Sequence, residues 1–311
     1  MAVIDNTITS NEVNAALDQE FVKNFEGMAD RLRDILGIFG VEPIKAGTAL
    51  KMLKVTGALN NEKTDASTLP GSGALALGSS SGTAYVEGDV VALSKFGAEW
   101  EIVGEVKATP YRKMTTAAAI QKSGYVPAVL KTDEKMGSLV RRGIVGDFFK
   151  FLATGTGEAS GKGLQETAAM VDAKLGDTLE KNGDASDRTI HFVNREDAAA
   201  YLGGAQITTQ NVFGMTYLEN FLGLTDVFLT SSVAKGTMYA TPAENIHVFG
   251  QDFAELAKAG ISYTQDANGL IGVAHTPAYD RVSAETHILT GMLLFPEVKD
   301  YIVKGTIAPL A

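Results

Sequence analysis

The chain has 311 residues, 45% hydrophobic and 21% charged, enough apolar material for a sizeable core and too much for wholesale disorder. Zero cysteines exclude disulfides, thiolate catalysis and cysteine-ligated metal. With 27 Lys and Arg against 37 Asp and Glu, the formal net charge of −10 argues against tight general binding of DNA through its phosphates.

The start, MAVIDNTITSNEV, lacks the basic region and apolar stretch of a secretory signal, and no apolar run is long enough to cross a bilayer. A chain made and used in a cytoplasm-like space is expected. Thr9 to Glu12 spell a capping box at the head of an amphipathic helix whose apolar stripe runs Val13, Leu17, Phe21, Phe25, Met28, Leu32, Ile35 and Phe39. Such a stripe packs on the chain's own body or on a partner. Residues 48–57 and 90–109 carry β-favouring residues with partial alternation and read as strands. Between them, residues 59–89 are rich in Gly, Ser, Thr and Asn and can add little core, so they read as an extended loop or a flap.

Residues 111–155, YRKMTTAAAIQKSGYVPAVLKTDEKMGSLVRRGIVGDFFKFLATG, organise the rest. Met136, Val140, Ile144, Phe148 and Leu152 recur every four residues along one helical face, widened by Leu139, Val145, Phe149 and Phe151. Thr132 is the expected N-cap, Asp133 and Glu134 suit the first turn, and the glycines at 155 and 157 supply the stop. Beyond them the spacing predicts a helix over 164–184 ending at Asn182-Gly183, then a strand, a turn at Asn194-Arg195 and a helix. Two strands are expected around a Lys235-Gly236 turn, followed by strand-like runs separated by Asn268-Gly269, Pro277 and Pro296.

The wording YRKMTTAAAIQKSGY followed by the TDEK…VRRGIVGDFFKFL helix resembles the major capsid proteins of tailed bacteriophages, which share the Hong Kong ninety-seven fold. The resemblance extends over nearly the whole chain. It implies an α+β fold with an N-terminal arm at 1–47, an extended β-hairpin loop at 48–110, a peripheral domain with the long spine helix at 111–159 and 253–311, and an axial domain at 160–252. It implies a structural protein that assembles with itself as pentamers and hexamers into an icosahedral shell around double-stranded DNA, without sequence-specific contacts. The virion would be its location and the host bacterial cytoplasm its place of assembly, with portal and decoration proteins as possible partners and no membrane. Because the chain enters the arm almost at once, a separate scaffolding protein, or none, is expected. Lys54, Lys63 and Lys95 cannot be ranked as cross-linking residues, and no cross-link is assigned. An acidic inner wall would repel packaged DNA rather than grip it.

No catalytic, cofactor-binding or metal-ligating residue is expected. In GTGEASGKG, Thr156 and Gly163 stand where a phosphate loop needs Gly and Ser or Thr. His191, His247, His275 and His287 have no second histidine at ligand spacing and read as ordinary strand residues. The assembly candidates are Phe21 and Phe25 on the N-terminal stripe, and Arg141 and Arg142 on the long helix. Those guanidinium groups suit bidentate pairing with carboxylates of a neighbouring subunit, or form a solvated face. The alternatives are an encapsulin-type cargo compartment of the same fold and a soluble α+β enzyme with a lid at 59–89.

Overall fold

The computed structural model describes residues 16–23, 36, 38–58, 93–204, 210–212, 215–217, 226–266 and 268–309. The capping box at 9–12, Phe25 and the loop 59–89 lie outside these residues. The chain divides into a body, Met1–Thr48 with Glu105–Ala311, and an arm, Ala49–Gly104.

In the body, residues 16–23 are helical and Val41–Lys45 is strand β1; the arm supplies β2 (Ala49–Ala58) and nearly all of β3 (Lys95–Glu105). β4 (Thr109–Thr116) leads into the short helix α1 (Ala117–Ser123), a π-helical turn Val126–Leu130 and the long helix α2 (Lys131–Leu152). Then come β5 (Gly157–Lys162), α3 (Gly163–Asn182), β6 (Thr189–Asn194), α4 (Arg195–Gly204), and the short strands β7 (Gln210–Val212) and β8 (Met215–Tyr217). β9 (Asp226–Thr230), β10 (Thr237–Pro242), β11 (Ile246–Asp252), α5 (Ala254–Lys258) and β12 (Thr264–Gln265) follow. The chain closes with β13 (Ile271–Ala278), β14 (Ser283–Thr290), β15 (Met292–Pro296) and β16 (Val303–Ala308).

Helix α2 buries Gly137, Val140, Ile144, Phe148, Phe149 and Leu152, so the four-residue periodicity of the sequence is the face that meets the core. Leu139 departs from the expected stripe: it is 51% exposed, because it lies off that face. Thr132 is not the N-cap. The π-turn already carries the chain in helical conformation through Leu130, and the Thr132 hydroxyl donates to the carbonyls of Ala128 and Val129. Phe148 and Phe149 meet Phe192 of β6 edge to face at 5.6 and 5.5 Å between ring centroids. That geometry suits aromatic quadrupoles and locks α2 onto the large sheet.

That sheet has seven strands in the order β5-β16-β10-β6-β9-β8-β7. Three features depart from the sequence reading. GEASGK, read as a glycine-rich break, is strand β5, parallel to β16 in a register from Val303 against Gly157 to Ala308 against Lys162. A Cβ on Gly161 would stand 2.5 Å from the Thr167 backbone nitrogen, so glycine is what lets this strand lie against α3. The strands flanking Lys235-Gly236 are not paired with each other; β6 lies between them, antiparallel to β10 and parallel to β9. Finally, β16, from a segment assigned to the spine-helix domain, lies inside the seven-stranded sheet, between the edge strand β5 and β10. Asn182-Gly183 does end α3, with Gly183 at φ 77° as the left-handed cap.

Strands β12-β13-β14-β4 form a four-stranded sheet, and β1-β11-β15 form a third sheet in which β1 runs parallel to β11. One core cluster joins α2 to all three sheets through Phe192, Ile246, Val248, Ile271, Ile288 and Ile302. A second cluster, around Val171, Leu175, Val193, Val227 and Met238, packs α3 on the opposite face of the large sheet.

Candidate assembly surfaces

The described residues of the arm form a two-stranded sheet that buries almost nothing. Alternation along β3 puts Phe96, Trp100 and Ile102 on one face and Lys95, Glu99 and Glu101 on the other. On β2, Lys54 Nζ lies 3.8 Å from Glu101 Oε2, which places Lys54 on the charged face. A Cβ on Gly57 would run into the Phe96 ring, so the odd-numbered residues of β2 share the apolar face. That face therefore carries Leu53, Val55, Phe96, Trp100 and Ile102, exposed by 45%, 60%, 58%, 67% and 65%. Among the described residues these side chains form an exposed apolar row on a two-stranded sheet, an arrangement that is marginal in water by itself.

A second exposed feature is the turn between β13 and β14. Tyr279 is 81% exposed, and Val282, a β-branched residue, is held at φ 47°. The carbonyl of Val282 accepts from Ala117 N–H at 2.9 Å, where Thr116 also caps α1 by accepting from Ala119 N–H, so the start of that helix holds the strained residue.

Of the four assembly candidates read from sequence, Phe21 is buried within the chain's own core, and a Cβ on Gly137 of α2 would stand 3.1 Å from its ring. Arg141 is half-buried; its Nε donates back to the Gly137 carbonyl at 3.4 Å, and burial lowers its pKa. Arg142, one residue on, is exposed. Phe21 and Arg141 thus both meet α2 around Gly137, whereas Arg142 faces away from the core.

Around Phe21 the structure gathers charges that sequence spacing did not reveal. His275 on β13 sits between two carboxylates, with Nδ1 2.5 Å from Asp18 Oδ1 and Nε2 3.2 Å from Asp133 Oδ2. Asp133 also accepts from Lys113 Nζ at 2.5 Å and from Thr286 Oγ1 at 2.9 Å. Lys113 additionally donates to Thr132 Oγ1 and the Val129 carbonyl. These partners hold the Asp133 carboxyl below the usual carboxylate range in spite of burial, and the two carboxylates raise His275 to about 9 against the opposing effect of burial. The ring nitrogens point at different carboxylates, and among the described residues no acidic and histidine side chains converge as a metal would require.

The other histidines differ. His247 pairs with Glu297 at 2.9 Å on the surface, and His287 lies against Glu285 and Thr276. His191 is fully buried in β6 with neither ring nitrogen hydrogen-bonded, and burial pushes its pKa down to about 4.

Between α2 and the strands beside it runs an open groove of about 360 Å³, floored by Val140, Ile144, Phe151 and Leu294 and edged by Lys107 and Asp147. Among the described residues no helix is long and apolar enough to cross a membrane.

No family model matches the sequence, and no curated protein matches it. Solved structures do. The capsid of cyanophage P-SCSP1u aligns over 88% of this chain and 87% of its own at 7% identity, with a TM-score of 0.53. The capsid of cyanophage A-1(L) aligns over 88% and 92% at 10% identity, with a TM-score of 0.51. The chain has the capsid fold of the Hong Kong ninety-seven type. An encapsulin from Synechococcus elongatus also aligns, over 89% of this chain and 87% of its own at 8% identity, with a TM-score of 0.48.

Proposed function

We propose that the chain is the major shell subunit of a tailed bacteriophage, assembling as pentamers and hexamers into an icosahedral container for double-stranded DNA. The arm carries this reading. It exposes Leu53, Val55, Phe96, Trp100 and Ile102 on one face, and none of its described residues is buried, which supports a stability that belongs to an assembly rather than to a single chain. The capsid fold is in keeping with that role, and a net charge of −10 suits a wall that repels rather than grips its contents. Self-association is the activity; no catalytic group is assigned. The virion is the proposed location, assembly takes place in the host cytoplasm, and scaffolding, portal and decoration proteins are the proposed partners.

Electron microscopy of the full-length protein, alone and co-expressed with its neighbouring reading frames, tests this. Icosahedral shells or capsomer rings are expected, with DNA packaged in the phage context. Shells that enclose a co-purifying enzyme would move the reading to an encapsulin-type compartment. A persistent monomer of 32.8 kDa under both conditions would overturn the container reading altogether.

A further inference from the structure

We propose that His275, as an imidazolium shared between Asp18 and Asp133, is a proton-operated latch that holds the N-terminal helical segment onto α2 and releases it when the proton leaves. The two carboxylates come from opposite ends of the contact. Asp18 belongs to residues 16–23, whereas Asp133 opens α2. Both ring nitrogens face carboxylate oxygens, and only the doubly protonated ring can donate from both; a neutral imidazole would leave one carboxylate facing a lone pair.

Charge counting gives the same result. The buried groups are Asp18, Asp133, Lys113 and His275, with side chains 12%, 4%, 19% and 7% exposed. The set is neutral when His275 is charged and carries an unbalanced buried negative charge when it is not. Among the described residues, Tyr125 before the π-turn lies near the same two carboxylates and near Glu20 of the N-terminal segment. Burial, together with the nearby charges of Asp133, Glu20 and Asp18, pushes the Tyr125 phenol up to about 12, so it stays neutral through the range that matters. From β14 the neighbour is Thr286, which is uncharged.

Apolar contacts act in parallel with the latch. Phe21 meets the His275 ring edge-on at 6.4 Å and Val22 is buried, so Asp18, Phe21 and Val22 form one docking face at helical spacing. Opening the ion pair frees that face for another surface. Because His275 is raised above its ordinary 6.5, the latch is fully closed below pH 6.5 and is lost as pH rises through about 9. On the acid side the Asp133 half of the pair is lost as that carboxyl protonates, below its ordinary 3.8. The latch belongs to the single chain and stands whether or not shells form.

Hydrogen exchange of the full chain, corrected for intrinsic rate and followed from pH 7 to 10.5, reads it directly. Protection of residues 16–23 is expected to fall on the order of 100-fold across that range while protection of the middle of α2 holds. In His275→Gln the segment should already exchange at the open rate at pH 7 and show no alkaline step. If that variant, or high pH, also unprotects α2, Asp18→Asn decides, since it removes the outer carboxylate and leaves the helix untouched; at least tenfold weaker protection of 16–23 is expected. Wild-type protection that does not change with pH, or variants that keep it, would show that Phe21 and Val22 alone hold the segment and would overturn the latch.

Discussion

The N-terminal segment and the arm answer the same physical problem in opposite ways. Residues 16–23 present an apolar face and a carboxylate, and both find partners in the same chain: Phe21 over Gly137, Asp18 on His275. The arm presents a larger apolar face, and every large apolar side chain on it among the described residues stays in water. A face satisfied within the chain stabilises the subunit, whereas a face left bare stabilises only what comes to cover it. Residues of similar hydrophobicity therefore belong to different levels of organisation, and substitutions separate the two.

The sharpest contrast is Trp100→Glu on the arm against Phe148→Ala in α2. Trp100 is 67% exposed, so its replacement is expected to leave the body's unfolding transition within about 0.5 kcal/mol of wild type while abolishing shells in electron micrographs. Shells at wild-type yield would remove the arm from the assembly surface. Phe148 is 1% exposed and packs on Phe39, Phe149 and Phe192. Its loss should cost about 3–5 kcal/mol in denaturant unfolding, through lost transfer energy and the cavity left behind.

The next effect compares two buried histidines. Burial outweighs the charges of Asp172 and Asp226 at His191, whose ring nitrogens bond to no carboxylate, and its pKa moves down to about 4, whereas that of His275 moves up. Below pH 6.5 the unfolded chain therefore takes up a proton that the folded chain refuses. Stability falls as pH drops, and the loss from this residue levels off near pH 4 at roughly 3 kcal/mol. Denaturation of wild type and His191→Leu at pH 7 and pH 4 checks the sign: the variant should lose less between the two. Equal losses would mean that the large sheet accommodates the imidazolium.

These two histidines also mark what the sequence could reveal. The stripe from Val140 to Leu152 was legible because burial on one helical face imposes a period that survives in the sequence. The arm strands were legible from their β-favouring residues and the partial alternation of β3, although β3 is exposed along most of its length. Strand β5 was not, because GEASGK has no β-branched residue; it is a strand by virtue of β16, which lies more than 140 residues away. The pairing of β6 between β9 and β10 was hidden because local order suggests neighbours, and a parallel insertion overrides it. The His275 cluster left no local signal at all: its carboxylates stand 257 and 142 residues from it in the chain. Periodicity records which face is buried, but nothing in it records which distant group a buried charge will meet.

The smallest expected effect on the fold lies on the outer side of α2. Leu139 and Arg142 stand three residues apart on an exposed surface, although the sequence suggested an apolar role for one and an intersubunit role for the other. Neither Leu139→Glu nor Arg142→Glu should shift unfolding by more than about 0.5 kcal/mol, whereas Ile144→Ala on the buried face should cost about 2–5 kcal/mol. If this side of the helix meets a neighbouring copy, as proposed for Arg142, reversing its charge lowers shell yield without touching stability. Wild-type yield from Arg142→Glu would make it a solvated surface residue and would leave the arm as the principal contact between copies. A yield that falls for Leu139→Glu as well would extend the contact surface along α2, and the bare leucine would then have the same explanation as the bare tryptophan of the arm.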